Sequence, residues 1–97
     1  MTRFMVLVNY TEQGLRNLSQ TVSRAEAFAK IAQQHGASVT AQYWAMGRHD
    51  GVMILEAPDD QIAAALLARL GGQGNVHTQT LRVFDRGEIE SILAKAK

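Results

Sequence analysis

Three histidines, ten lysines and arginines, nine aspartates and glutamates, two tyrosines and no cysteine are the titratable side chains of this 97-residue chain. Without cysteine there is no thiol nucleophile, thiolate metal site, iron–sulfur cluster or disulfide frame. The densest run of chemistry-bearing side chains is Arg48-His49-Asp50. Histidine titrates near neutrality and a carboxylate beside it can orient the ring, so His49 and Asp50 are the candidates for general acid/base catalysis. Neighbouring strand residues face opposite ways, so the pairing requires turn geometry. The plainer use of the same residues is a turn in which Asp50 accepts backbone N–H groups and His49 has no chemical role. Neither His-x-His nor His-x-x-x-His occurs. A facial metal set of His49, Asp50 and His77 would need distant segments to meet. No metal and no cofactor is expected. Ser19, Ser23, Ser38 and Ser91 lie in or beside caps and helices without a nucleophile elbow. Gly71-Gly72-Gln73-Gly74 follows a helix and precedes a strand, the reverse of a phosphate loop.

A second set of polar residues sits at alternate positions. Thr78, Thr80 and Arg82 share one face of a strand pattern, and Thr40, Gln42 and Trp44 share one face of another. If both sets point to an open sheet face they rim an apolar floor, a cleft for a small organic molecule with an acidic or carbonyl group, Arg82 being the anion partner. The alternative is the polar rim of a subunit interface anchored by Trp44.

The elements that must position these residues follow from periodicity. Phe4-Met5-Val6-Leu7-Val8 reads as a central strand buried on both faces. Ser23 and Glu26 have capping-box spacing, and Ala25, Phe28, Ala29, Ile31 and Ala32 recur at helical spacing up to Gly36. Leu15, Leu18 and Val22 are expected to form a shorter lead-in over the same core. Ser38 to Met46 alternates polar with apolar through its first half and reads as an edge strand. Gly47 to Gly51 is a hairpin connection into Val52-Met53-Ile54-Leu55. Pro58-Asp59-Asp60 starts a helix whose stripe is Ile62, Ala63, Leu66, Leu67 and Leu70. Val76 to Phe84 reads as a second edge strand, and Asp85 with Glu88 caps a final helix striped by Ile89, Ile92, Leu93 and Ala96.

Strand, helix, strand, strand, helix, strand, with a terminal helix added, gives one α+β domain over residues 1–97. Two right-handed crossovers interleaved in this order make a ferredoxin-like antiparallel sheet with strands ordered 4-1-3-2. That topology brings Asn9-Tyr10-Thr11, Trp44 to Met46, Arg48-His49-Asp50 and Asn75-Val76-His77 to one edge. The ligand-binding candidates are accordingly Trp44, Arg48, His49, Asp50, His77 and Arg82. By parity, Met5, Leu7, Met53 and Leu55 form one apolar set and Phe4, Val6, Val52 and Ile54 the other, and two helices cover only one face. The uncovered set calls for a second copy packed sheet to sheet, or for the terminal helix to fold back.

Composition bounds the partners. At 46% hydrophobic and 20% charged residues with a net charge of +1, the chain is globular and carries no global excess that draws it to nucleic acid or anionic lipid. The third strand carries aliphatic residues where RNA-binding sheets carry stacking aromatics. No run approaches the ~18 apolar residues of a membrane span, and residues 1–20 carry no basic stretch followed by an apolar one, so no targeting segment is expected. A cytoplasmic setting is expected.

At Met46-Gly47-Arg48-His49-Asp50 with Tyr43 before it, at Glu56-Ala57-Pro58-Asp59-Asp60, and from Gly74 to Phe84, the sequence resembles the GYD domain family. That family is named for a Gly-Tyr-Asp signature near the central hairpin; here His49 stands where tyrosine is usual, an imidazole in place of a phenol. The resemblance covers nearly the whole chain. It implies a ferredoxin-like domain of the dimeric α+β barrel kind, found mainly in bacteria and archaea, and brings no activity with it. The functional expectation is a homodimer or higher oligomer that binds, and modifies if it is an enzyme, a small organic ligand at the sheet face or hairpin. By fold analogy alone the enzyme version is a cofactor-independent or haem-assisted oxygenase or isomerase. The alternative is a structural or regulatory protein-interaction module without catalysis.

Overall fold

A computed structural model describes all 97 residues. The apolar run at the N-terminus becomes strand β1, Thr2–Tyr10. Thr11 ends it by accepting a hydrogen bond from the Gly14 N–H, which caps the short helix α1, Glu12–Arg16. A single 3-10 turn at Leu18–Gln20 leads into α2, Thr21–Gln34. The expected capping box at Ser23 and Glu26 does not form. The helix starts earlier because the 3-10 turn already takes the Thr21 N–H on the Leu18 carbonyl, and the Ser23 hydroxyl donates back to the Gln20 carbonyl at 2.9 Å. Leu15, Leu18 and Val22 do not pack over the core either, being 57%, 44% and 54% exposed. The buried residue of α1 is Gly14, whose Cα lies so close to the turn before the last strand that an added Cβ would sit 2.0 Å from the Asn75 carbonyl oxygen.

The remaining elements are β2 (Ser38–Trp44), β3 (Gly51–Ala57), α3 (Asp60–Gly72), β4 (Val76–Arg82) and α4 (Arg86–Lys95). Asp59 caps α3 through the Ile62 N–H, at the helix start that Pro58-Asp59-Asp60 marks, and Asp85 with Glu88 closes a full capping box on α4 as its spacing predicts. The sheet is four-stranded in the order β2-β3-β1-β4, with every neighbouring pair antiparallel. This is the order 4-1-3-2 taken from the opposite edge, and the architecture is α+β.

Register corrects the expected division of the faces. Phe4 is paired with Leu55, Met5 with Ile54, Val6 with Met53 and Leu7 with Val52. Directly opposed residues share a face, so Phe4, Val6, Met53 and Leu55 form one side and Met5, Leu7, Val52 and Ile54 the other. Parity counted along each strand separately could not show this, because it lacks the register that links them. The first set is the core: Val6 and Leu55 are fully buried, with Phe28 and Ala32 of α2 and Ala63 and Leu66 of α3 packed over them. Each such buried aliphatic chain stabilises the fold by about 1.5–3 kcal/mol. The second set is only half-buried, and α4 does not fold back over it. That helix buries none of its residues and makes no extensive contact with any strand.

The polar sets move with the register. Thr78, Thr80 and Arg82 oppose Val8, Val6 and Phe4, and Gln42 and Trp44 oppose Met53 and Gly51, so all five belong to the helix-covered face and not the open one. Thr40 falls in a register shift between Val39 and Ala41. The expected cleft on the open face, rimmed by these residues, is therefore absent.

Candidate functional site

The end of β1 meets the end of β2 and the starts of β3 and β4, which gathers three of the candidate residues, Arg48, His49 and Asp50, around Asn9 and Tyr10. The hairpin loop is closed by the Ala45 N–H donating to the Asp50 carbonyl at 2.9 Å and the Asp50 N–H to the Val8 carbonyl at 2.8 Å. Gly47 has φ +111°, a conformation that side-chain-bearing residues rarely adopt, which explains a glycine at this position of the loop.

Asp50 and His49 do not pair with one another. The Asp50 Oδ2 accepts from the Tyr10 N–H at 2.9 Å, a part-buried bond that holds the end of β1 to the hairpin. The His49 Nδ1 lies 2.8 Å from the Asn9 Oδ1, and the Asn9 Nδ2 donates to the Arg48 carbonyl at 2.8 Å. With the amide nitrogen committed to a carbonyl, Asn9 offers its oxygen to His49, which requires Nδ1 to carry the proton. Asn9 thus takes the orienting place that a carboxylate has in an acid/base pair. The sequence placed it at this edge without marking the role, since an asparagine ending a strand is also an ordinary turn signal.

His77 lies on the open face opposite Asn9 and is exposed. Arg82 lies at the far end of the sheet, opposite Phe4, where its guanidinium stacks 4.3 Å from the Phe84 ring centroid and sits 3.9 Å from the Glu88 carboxylate. Beside it, Arg3 bonds Glu56 at 3.2 Å and Glu88 at 3.0 Å, tying β1 to β3 and to the start of α4. Desolvation lowers the Arg3 pKa, but Glu56, Glu88 and Asp85 outweigh it and raise the net value above that of a free guanidinium. No group of three or more histidine, aspartate or glutamate side chains gathers closely enough to hold a metal ion.

Trp44 joins the same cluster from the helix-covered side of the sheet. Its indole Nε1 donates to the Thr21 Oγ1 at 3.0 Å, and the Tyr10 hydroxyl lies 2.8 Å from the same oxygen. These residues line an open cavity of about 60 Å³ between α2 and the sheet, together with Arg24, Gln42 and Asp50 over an apolar floor of Val8, Phe28 and Met53. Arg24 donates through Nη1 to the Asn17 carbonyl at 2.8 Å, while its Nη2 is buried without a partner. An unpaired buried donor costs about 1–3 kcal/mol, and more when charged. Tyr10, Arg24 and Thr21 were missed as site residues, because Arg24 in sequence is one more charge on an amphipathic helix.

Residues 4–93 match the GYD domain family. The chain belongs to that family. Among its relatives is a protein of Thermus thermophilus named "Glutamine synthetase and cystathionine beta-lyase binding protein", 30% identical over 98 residues and covered end to end, as is this chain. In this GYD domain the Arg48-His49-Asp50 hairpin is joined to β1, Asp50 through the Tyr10 N–H and His49 through the Asn9 side chain.

Proposed function

We propose that this GYD domain is a homo-oligomeric binding module whose partners are other proteins. The observation that carries the reading is the half-buried apolar face of Met5, Leu7, Val52 and Ile54, extended on the edge strands by exposed Leu81 and Tyr43. Antiparallel sheets commonly turn a polar face to water; here the middle is aliphatic, with the Arg3–Glu56 ion pair at one end and Asn9 and His77 at the other. An apolar centre with a polar rim is the anatomy of an interface. A second copy is the occupant that fits, because an apolar centre inside a polar rim can meet the same patch of another copy across a two-fold axis. Four strands at ~4.8 Å spacing and ~24 Å length present about 450 Å² of projected face, short of the roughly 800 Å² per partner of a stable interface. The stripe of α4, with Ile89, Ile92 and Leu93 exposed by 40%, 37% and 58%, supplies further area. This is the ferredoxin-like, dimeric α+β barrel arrangement, in a cytoplasmic setting.

The partner class comes from the Thermus relative, whose printed name makes it a binding protein for two enzymes. Sedimentation velocity tests the oligomer: a dimer is expected at micromolar concentration, and a monomer there sinks the sheet-to-sheet arrangement. Biolayer interferometry against purified glutamine synthetase and cystathionine β-lyase tests the partners, and absence of binding to both removes the support that the relative lends.

A second reading, binding of a small organic molecule, is supported by the cavity around Tyr10, Arg24 and Trp44. The commitment of His49 and Asp50 to strand-holding hydrogen bonds favours binding over catalysis in either reading.

A further inference from the structure

We propose that the cavity between α2 and the sheet binds a small zwitterionic α-amino acid, its carboxylate at Arg24 and its ammonium at Asp50. The proposal rests on the second reading above and is independent of the oligomer.

Donors are in excess on one side of the cavity. Arg24 lines the cavity with its Nη1 on the Asn17 carbonyl, and no carboxylate lies within ion-pair distance of its guanidinium. The Trp44 N–H, the Tyr10 hydroxyl and the Thr21 hydroxyl bring three protons to the two bonds that join them, so one hydroxyl proton remains to be donated. A planar carboxylate accepts both, one oxygen from the guanidinium and the other from the hydroxyl. On the other side Asp50 is an acceptor. Its Oδ2 holds the Tyr10 N–H, and the second carboxylate oxygen keeps its lone pairs for a further donor.

The balance of charge selects the ligand class. One cation and one anion, Arg24 and Asp50, line the cavity. A bare anion at Arg24 would meet Asp50, and a bare amine at Asp50 would meet Arg24, whereas a zwitterion answers both. Size sharpens this: about 60 Å³ has room for roughly four to six water-sized groups. Glycine or alanine fits that allowance, with the methyl group of alanine against the apolar floor.

Trp44 lines the cavity and is the single tryptophan, so the fluorescence signal comes from one side chain at this site. Glycine, L-alanine, acetate and ethylamine are titrated into the wild-type protein. The expected result is a saturable change with glycine and L-alanine at midpoints about tenfold or more below those of acetate and ethylamine. Arg24→Gln raises the L-alanine midpoint about tenfold. Asp50→Asn, whose amide oxygen still accepts from the Tyr10 N–H, weakens L-alanine while strengthening acetate. Should either variant fail to fold, the four-ligand comparison on wild-type protein decides. Acetate or ethylamine binding as tightly as L-alanine overturns the zwitterion and leaves the small-molecule reading standing. No response to any of the four, by fluorescence or by the Trp44 indole N–H resonance, overturns both.

Discussion

The two faces of the sheet are built from the same kind of side chain and have met different fates. On one, Val6 and Leu55 are fully buried beneath α2 and α3; on the other, Met5, Leu7, Val52 and Ile54 stand half-buried with no helix above them. Along β3 the burial alternates at every residue from Gly51 to Ala57, although the side chains at both parities are aliphatic from Val52 to Leu55. Hydrophobicity alone therefore does not say which side a sheet buries. The connections do, because each helix must return to the sheet on the side that its right-handed crossover dictates. The face left over is the one on which the proposed interface rests.

That comparison predicts costs of different kinds for substitutions on the two faces. Leu55→Ala opens a cavity in the closed core and is expected to destabilise the chain by about 3 kcal/mol, at every protein concentration. Ile54→Lys, its neighbour on the open face, is expected to abolish association and leave the dilute monomer folded. The loss of apparent stability, about 2.7 kcal/mol where the protein stands at a hundred times its dissociation constant, fades on dilution. Urea unfolding at two protein concentrations checks both. If Ile54→Lys costs the same at each concentration, the open face is not an interface and the contrast between the faces reduces to packing density.

Much of the fold was legible because its local signals agree. The Asp59 and Asp85 caps, the stripe of α3 and the apolar runs of β1 and β3 each name an element, and their order leaves few topologies. What stayed illegible depends on register and on geometry between elements. The grouping of Met53 and Leu55 with Phe4 and Val6 needs the β1–β3 pairing, and the facing of Trp44 and Arg82 needs β2 and β4 placed as well. The hairpin cluster was located by topology, but its use was not: the adjacency of His49 and Asp50 suggests a pair, whereas the loop sends them to different partners on β1. Arg24 could not be singled out, because an orphan donor exists only once the helix is docked on the sheet.

The smallest effects lie where the hairpin joins β1, and their inequality sharpens the difference between a strand-holding role and a chemical one. Asp50→Ala leaves the part-buried Tyr10 N–H without its acceptor and is expected to cost about 1–1.5 kcal/mol. His49→Gln loses only a side-chain bond to Asn9, whose oxygen then faces water at the sheet edge, so the expected cost is about 0.5 kcal/mol or less. Thermal melts of the two variants under one buffer separate these values. A His49→Gln variant as unstable as Asp50→Ala would mean that Asn9 needs the imidazole to keep its hold on the Arg48 carbonyl, and the hairpin's bonds to β1 would then be one cooperative network. The expected small cost instead makes His49 the freer member of the loop, at the position where the family signature carries a tyrosine.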